Sequence, residues 1–167
     1  MEQINLVLKA IKGDEHSFEA LIIQESDKLY RIAMLHVRNK EDALDVLQDT
    51  VYKAFISINQ LKNPEFFSTW LVKILIRTSY QLLKKKNKTL LPGELALGGM
   101  LESVNPNYEL EVDLPYAISK LEPHYQTVIF LFYFHDLSIQ SIAQSLEKPE
   151  GTIKTYLRRA RIELKKC

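Results

Sequence analysis

Two short apolar stripes late in the chain fix the kind of fold open to it. Ile139, Ile142, Ala143 and Leu146 recur at i, i+3, i+4 and i+7, and Ile153, Leu157, Ala160 and Leu164 form a second stripe beyond Pro149. Each stripe is one face of an amphipathic helix. Ala143 is small enough to let the second helix cross closely over the first. Pro149 is tolerated near a helix start, because the N–H it lacks has no intrahelical partner there. The spacing therefore predicts a helix-turn-helix. Around the second stripe stand Thr152, Lys154, Thr155, Arg158, Arg159 and Arg161. Those donors suit the major groove of DNA. Charge alone fits a solvated basic face equally well. The preceding helix and the tight turn favour DNA.

Helical periodicity covers most of the remaining chain. Phe18, Ile22, Glu25, Leu29, Ile32 and His36 share one face of a block over about 14–37. His36 reads there as a hydrogen-bonded histidine at a helix end, since no second histidine or carboxylate stands at ligand spacing. Ala43, Leu47, Val51, Ala54 and Ile58 mark a second block from Lys40, and Phe67, Leu71, Ile74, Thr78 and Leu82 a third, opening after Asn63-Pro64. The apolar run Val128–Phe134 is read as a buried helix because helical patterns flank it. With only 5 Gly, and no turn signal between alternating strands, the chain is predicted to be all-α. Pro92-Gly93, Gly98-Gly99 and Asn105-Pro106-Asn107 interrupt the pattern. They divide the chain into a helical domain over 1–88, a linker over 89–112 and a second helical domain over 113–167.

The net charge of +1 conceals strong segregation. Residues 73–88 hold six basic and no acidic side chains, whereas 89–136 hold one basic and seven acidic. Residues 137–167 are basic again, seven against three. Two basic patches on separate modules suggest two polyanion contacts. In the third block Trp70, Lys73, Arg77, Tyr80 and Lys84 interleave aromatic and basic groups, a mixture able to stack unpaired bases and hold phosphates. Lys84–Lys88 also suits a helix C-terminus without any ligand. In the second block Asp42, Asp45 and Asp49, with Gln48 beside them, line one helix side. That face fits solvent or a basic partner; with no histidine near, a carboxylate metal site is disfavoured.

Glu41-Asp42-Ala43-Leu44-Asp45-Val46-Leu47-Gln48-Asp49, then Ser68-Thr69-Trp70-Leu71-Val72-Lys73-Ile74, then Pro149-Glu150-Gly151-Thr152-Ile153-Lys154-Thr155-Tyr156-Leu157-Arg158-Arg159-Ala160-Arg161 follow one another at a distinctive spacing. In that order the chain resembles an extracytoplasmic-function sigma factor of the bacterial sigma-70 family over nearly its whole length. The resemblance implies two all-helical domains, sigma regions 2 and 4. It implies that Asp42, Asp45, Gln48 and Asp49 meet core RNA polymerase. Gln60, Asn63 and Phe66 in a loop, with Trp70, Lys73, Arg77, Tyr80 and Lys84 on the next helix, would melt and read the promoter −10 element. Glu150, Thr152, Lys154, Thr155, Arg158, Arg159 and Arg161 would read the −35 element. An anti-sigma factor is an expected partner. Two positions depart from the family pattern: Arg77 stands where Asn is usual, and Ser141 where Glu is usual.

No Gly-rich phosphate loop, nucleophile elbow or histidine constellation is present, so neither catalysis nor a small-molecule substrate, cofactor or metal is expected. The lone Cys167 supports no intramolecular disulfide. With no signal peptide and no apolar run long enough to span a bilayer, a cytoplasmic protein without membrane insertion is expected. The competing reading is a conventional helix-turn-helix regulator whose N-terminal helices bind a ligand or dimerise. A third helix carrying six basic residues and no acid argues against it.

Overall fold

The computed structural model of the protein describes residues 1–89 and 114–166. The remainder of the expected linker over 89–112, and Cys167, lie outside the described residues. Within them the chain forms α1 (Glu2–Ile11), α2 (Glu15–Val37), α3 (Lys40–Ser57), α4 (Phe67–Thr89), α5 (Leu114–Lys120), α6 (Pro123–Tyr133), α7 (Ile139–Leu146) and α8 (Glu150–Lys165). Single 3-10 turns at Ile58–Gln60 and Pro64–Phe66 lead into α4, and the described residues contain no strand.

Local chemistry sets the boundaries. Gly13 turns the chain between α1 and α2 at φ 98°, a backbone region closed to most side chains. The Ser17 hydroxyl donates to the Asp14 carboxylate at the start of α2, and that bond holds the Asp14 pKa below its ordinary value. Arg38 closes α2 in the left-handed conformation, its N–H on the Met34 carbonyl. Asn39 then caps α3 by accepting the Asp42 N–H at 3.0 Å.

Helices α1 to α4 form the first bundle, with α2 packed on α1, α3 and α4. Its core is Leu21, Leu29, Ile32 and Ala33 from α2, Ala43, Val46 and Ala54 from α3, and Phe67, Leu71, Leu75 and Ile76 from α4. Burying an aliphatic side chain of this size contributes about 1.5–3 kcal/mol. Glu25 shares the α2 stripe and is buried with it, accepting the Ser68 hydroxyl at 2.6 Å. Helix α1 was not expected from the pattern; it supplies Val7 and Ala10 to this core.

Helices α5 to α8 form the second bundle around Ile118, Val128, Phe130, Leu131, Ile142, Ile153, Leu157 and Ala160. Pro123 opens α6, as its missing N–H permits. The Val128–Phe134 run is buried only through Leu131, and Tyr133 and Phe134 are exposed where α6 ends. The two bundles pack together, α5 against α2 and α6 against α4. His36 lies in this seam, its ring 5.0 Å from that of Phe130. It is 2% exposed, and neither ring nitrogen has a hydrogen-bond partner. The expected hydrogen-bonded helix-end histidine is thus a buried apolar-like group, and burial pushes its pKa down to about 4.

Candidate nucleic-acid interface

The helix-turn-helix is built by α7 and α8. Ser138 caps α7, its hydroxyl accepting the Ser141 N–H at 3.1 Å. Ser141 is the third residue of that helix, where a capping box carries Glu; here the Ser138 hydroxyl meets the Ser141 hydroxyl at 3.0 Å instead. Glu147 ends α7 at φ 54°, with its N–H directed back to the carbonyls of Ala143 and Gln144. Lys148 N–H also returns to Ala143 at 2.9 Å, and Pro149 starts the next helix. Ile153, Leu157 and Ala160 are buried beneath α8, so its orientation is fixed by packing.

Around α8, Glu150, Lys154, Arg158, Arg159 and Arg161 are exposed, and Thr152 and Thr155 are half-buried. The Thr155 hydroxyl donates to the Gly151 carbonyl at 2.9 Å. Arg161 is drawn back onto α6: its Nε donates to the Tyr133 hydroxyl at 2.9 Å, and its guanidinium lies 5.8 Å from the Phe132 ring centre. Tyr156 packs on His124 and Tyr125, with ring centres 4.8 and 5.6 Å apart. Arg158 therefore stands outward, whereas Arg161 also braces the module.

The second basic surface belongs to α4 and the loop before it. Lys73, Arg77, Tyr80 and Lys84 are exposed at helical spacing along one side of α4. Trp70 is half-buried and leans on Phe67 at 6.1 Å. On one side of Trp70 opens a cavity of about 430 Å³ lined by Gln60, Leu61, Lys62, Asn63, Phe66, Thr69 and Lys73. A second, about 340 Å³, is lined by Lys53, Lys73, Ile74, Arg77, Thr78 and Gln81. Asn63 spends its side-chain carbonyl on the Glu65 N–H at 3.0 Å, which shapes the loop. Lys53 Nζ donates to Thr78 Oγ1 at 3.1 Å and Gln81 Oε1 at 3.2 Å, fixing the floor of the second cavity. Aromatic walls beside exposed cations have the composition of a single-strand platform. Sequence reasoning missed Lys53 and Lys62. The only available signal for Lys53 was a cation one residue before the core position Ala54.

On α3, Asp45, Gln48 and Asp49 are exposed together. Asp42 is not equivalent: Lys86 Nζ lies 2.6 Å from its Oδ1, tying the start of α3 to the end of α4. The acidic face continues into exposed Tyr52, Phe55 and Ile56, and Phe55 stacks edge-on against Phe18 at 5.3 Å. These apolar residues escaped the sequence reading because Tyr52 and Ile56 continue the Asp45–Asp49 row and not the core stripe. Among the described residues no group of three or more His, Cys, Asp or Glu could hold a metal, and no helix is long and apolar enough to cross a membrane.

The sigma-70 region 2 family matches residues 21–89, and the sigma-70 region 4 family matches residues 112–164. The chain is 34% identical over 149 residues to the RNA polymerase sigma factor SigV of Bacillus subtilis, an alignment covering 87% of this chain and 89% of that one. It is 29% identical to the ECF RNA polymerase sigma factor SigW of the same species, covering 93% and 90% of the two chains. The fold matches CnrH, solved with the cytosolic domain of CnrY, at a TM-score of 0.65 and 21% identity over 98% of this chain and 94% of that one. It also matches the sigma factor RpoE of Bartonella quintana, solved with the anti-sigma factor NepR, at 0.60 and 23% over 89% and 94%. The chain belongs to the extracytoplasmic-function group of the sigma-70 family, the RNA polymerase sigma factors that direct transcription initiation.

Proposed function

We propose that this sigma factor divides its work among three surfaces and has no reaction of its own. Asp45, Gln48 and Asp49 dock on core RNA polymerase, with Tyr52 and Ile56 extending the contact. The loop Gln60–Phe66 and the side of α4 bearing Trp70, Lys73, Arg77, Tyr80 and Lys84 melt and read the −10 element. The outward residues of α8 read the −35 element. The observation that carries this reading is α8 itself: Ile153, Leu157 and Ala160 are buried while Glu150, Lys154 and Arg158 are left outward near its start. A recognition helix meets base edges with its N-terminal residues and phosphates further along. Residues 1–88 and 113–167 then act as two reading modules joined by 89–112, the first including α1. CnrH was solved with the cytosolic domain of CnrY and RpoE with the anti-sigma factor NepR, which supports an anti-sigma partner here as well.

The test uses holoenzyme and a panel of promoter mutants. Arg158→Ala should cost about 1–3 kcal/mol and relax preference at one or two −35 positions. Lys165→Ala should weaken all promoters alike and lower the salt slope by about one unit. If Lys165→Ala altered sequence preference and Arg158→Ala did not, the orientation of α8 in the groove would be wrong.

A further inference from the structure

The buried stripe of α2 carries a carboxylate. Phe18, Leu21, Leu29 and Ile32 are buried apolar residues, and Glu25 lies among them at 6% exposure. Its Oε1 accepts the Ser68 hydroxyl at 2.6 Å. Gln3 Nε2 of α1 reaches the same two groups, 3.4 Å from Oε1 and 3.5 Å from Ser68 Oγ. The other oxygen, Oε2, is buried without a hydrogen-bond partner. A buried unpaired oxygen lowers stability, and an apolar residue at this position would avoid that loss. Residues that break a local rule in this way are expected where function sets the choice.

The partner of Glu25 stands at a sensitive place. Ser68 lies in the first turn of α4, and Thr69 and Trp70, which follow it, both line the larger cavity. Phe67, on its other side, is buried and leans on Trp70. The loop Gln60–Phe66 runs into this turn, and α1 touches both of its 3-10 segments. Packing behind the loop is incomplete: Gln3 and Ile4 face Pro64, Glu65 and Ser68 across a cavity of about 240 Å³. Apolar contact has no preferred direction, so the row Phe67, Leu71 and Leu75 fixes which face of α4 is inward more firmly than where the helix stands along its axis. A short hydrogen bond is directional.

We propose that Glu25 is a positioning residue for −10 reading: through the Ser68 hydroxyl it sets the first turn of α4, and with it the placement of Trp70 and of the loop before it. The inference rests on the assignment of the Gln60–Trp70 segment to −10 reading. Glu25 touches no DNA in this account. It acts through Ser68, and Gln3 brings α1 into the same knot.

Position and function are read separately. Trp70 is the chain's one tryptophan, so its emission reports the start of α4 in the free protein. Glu25→Leu keeps the bulk and loses the acceptor, Glu25→Gln keeps an acceptor, and Ser68→Ala removes the donor while leaving the α2 stripe intact. Each full-length variant is also assembled on core polymerase, and permanganate reactivity of the −10 strand is scored per holoenzyme on a promoter selected by the wild-type protein. Glu25→Leu and Ser68→Ala should shift Trp70 emission, quicken its quenching by acrylamide and cut promoter opening about tenfold, as a small misplacement of a reading group does. Glu25→Leu should melt no lower than wild type, since it also removes the unpaired Oε2. Glu25→Gln should emit and open promoters like wild type. Wild-type opening by Glu25→Leu overturns the proposal, as does a loss in Glu25→Gln as large as that in Glu25→Leu. A lower melting temperature of Glu25→Leu with unchanged Trp70 emission would mean a purely structural role and overturns it too. Should Glu25→Leu fail to fold, Ser68→Ala decides, and normal opening by that variant is the refuting result. Trp70→Ala separates the two claims. If it opens promoters normally, the −10 assignment fails; if it does not while Glu25→Leu does, only the positioning role is refuted.

Discussion

Replacing His36 by leucine should make the protein more stable at neutral pH and less sensitive to acid. The imidazole is buried against Phe130, with no partner for its N–H or its lone pair. Removing an unpaired buried polar group for an apolar one of similar size recovers about 1–2 kcal/mol. Burial holds the His36 pKa at about 4, against 6.5 in an unstructured chain. The unfolded protein therefore binds the proton more tightly, and acid favours unfolding. The cost of keeping His36 neutral in the fold is absent above pH 6.5, grows below it and is complete near pH 4. The full loss is about 3 kcal/mol, of which about 1 kcal/mol falls between pH 7.5 and 5.5. His135 is also held low, chiefly by burial, and contributes in the same direction. The assay is urea unfolding of wild type and His36→Leu at pH 7.5 and 5.5. The variant should gain stability at pH 7.5 and lose about 1 kcal/mol less on acidification. An unchanged pH difference in His36→Leu would refute the argument, because the proton would then be binding elsewhere.

Four further outcomes follow from the same geometry. Charge reversal of Asp45 and Asp49 should weaken core polymerase binding by about 1–3 kcal/mol each, with helicity retained in circular dichroism. Asp42→Asn should instead lower thermal stability, because Asp42 is paired with Lys86. Arg161→Ala should destabilise the helix-turn-helix by about 1 kcal/mol, through the lost bond to Tyr133 and the lost ring contact, and Tyr133→Phe should reproduce part of that loss. The free protein should bind duplex promoter DNA weakly in a gel-shift titration; nanomolar, sequence-specific binding without polymerase would favour a conventional regulator.

What could be read from the sequence was what each segment states about itself. The stripes of α3, α4, α7 and α8 lie where their 3.6-residue period puts them, and Pro123 and Pro149 open helices for the reason that makes proline tolerable there. The helix-turn-helix and the basic side of α4 were legible for the same reason. Helix α1 went unread although Ile4, Val7, Leu8 and Ile11 recur at i, i+3, i+4 and i+7, and so short a helix depends on packing against α2 for its stability. Side chains whose partners are remote in sequence were also hidden. Nothing near Asp42 announces Lys86, 44 residues on, nor does anything near Arg161 announce Tyr133, 28 residues back. The same holds for Glu25 and Ser68. The seam between the bundles follows this rule as well, since His36 meets Phe130 only through the packing of α6 onto the first bundle.

The central claim is that this chain gives RNA polymerase a promoter preference it otherwise lacks. Purified core polymerase, with and without the protein, is offered a sheared genomic library, and the 5′ ends of the transcripts are mapped. The protein should create a discrete set of start sites that share two upstream elements, one near −35 and one near −10, and Arg158→Ala should blur the first while leaving the second intact. Transcript ends that are the same with and without the protein would contradict the account.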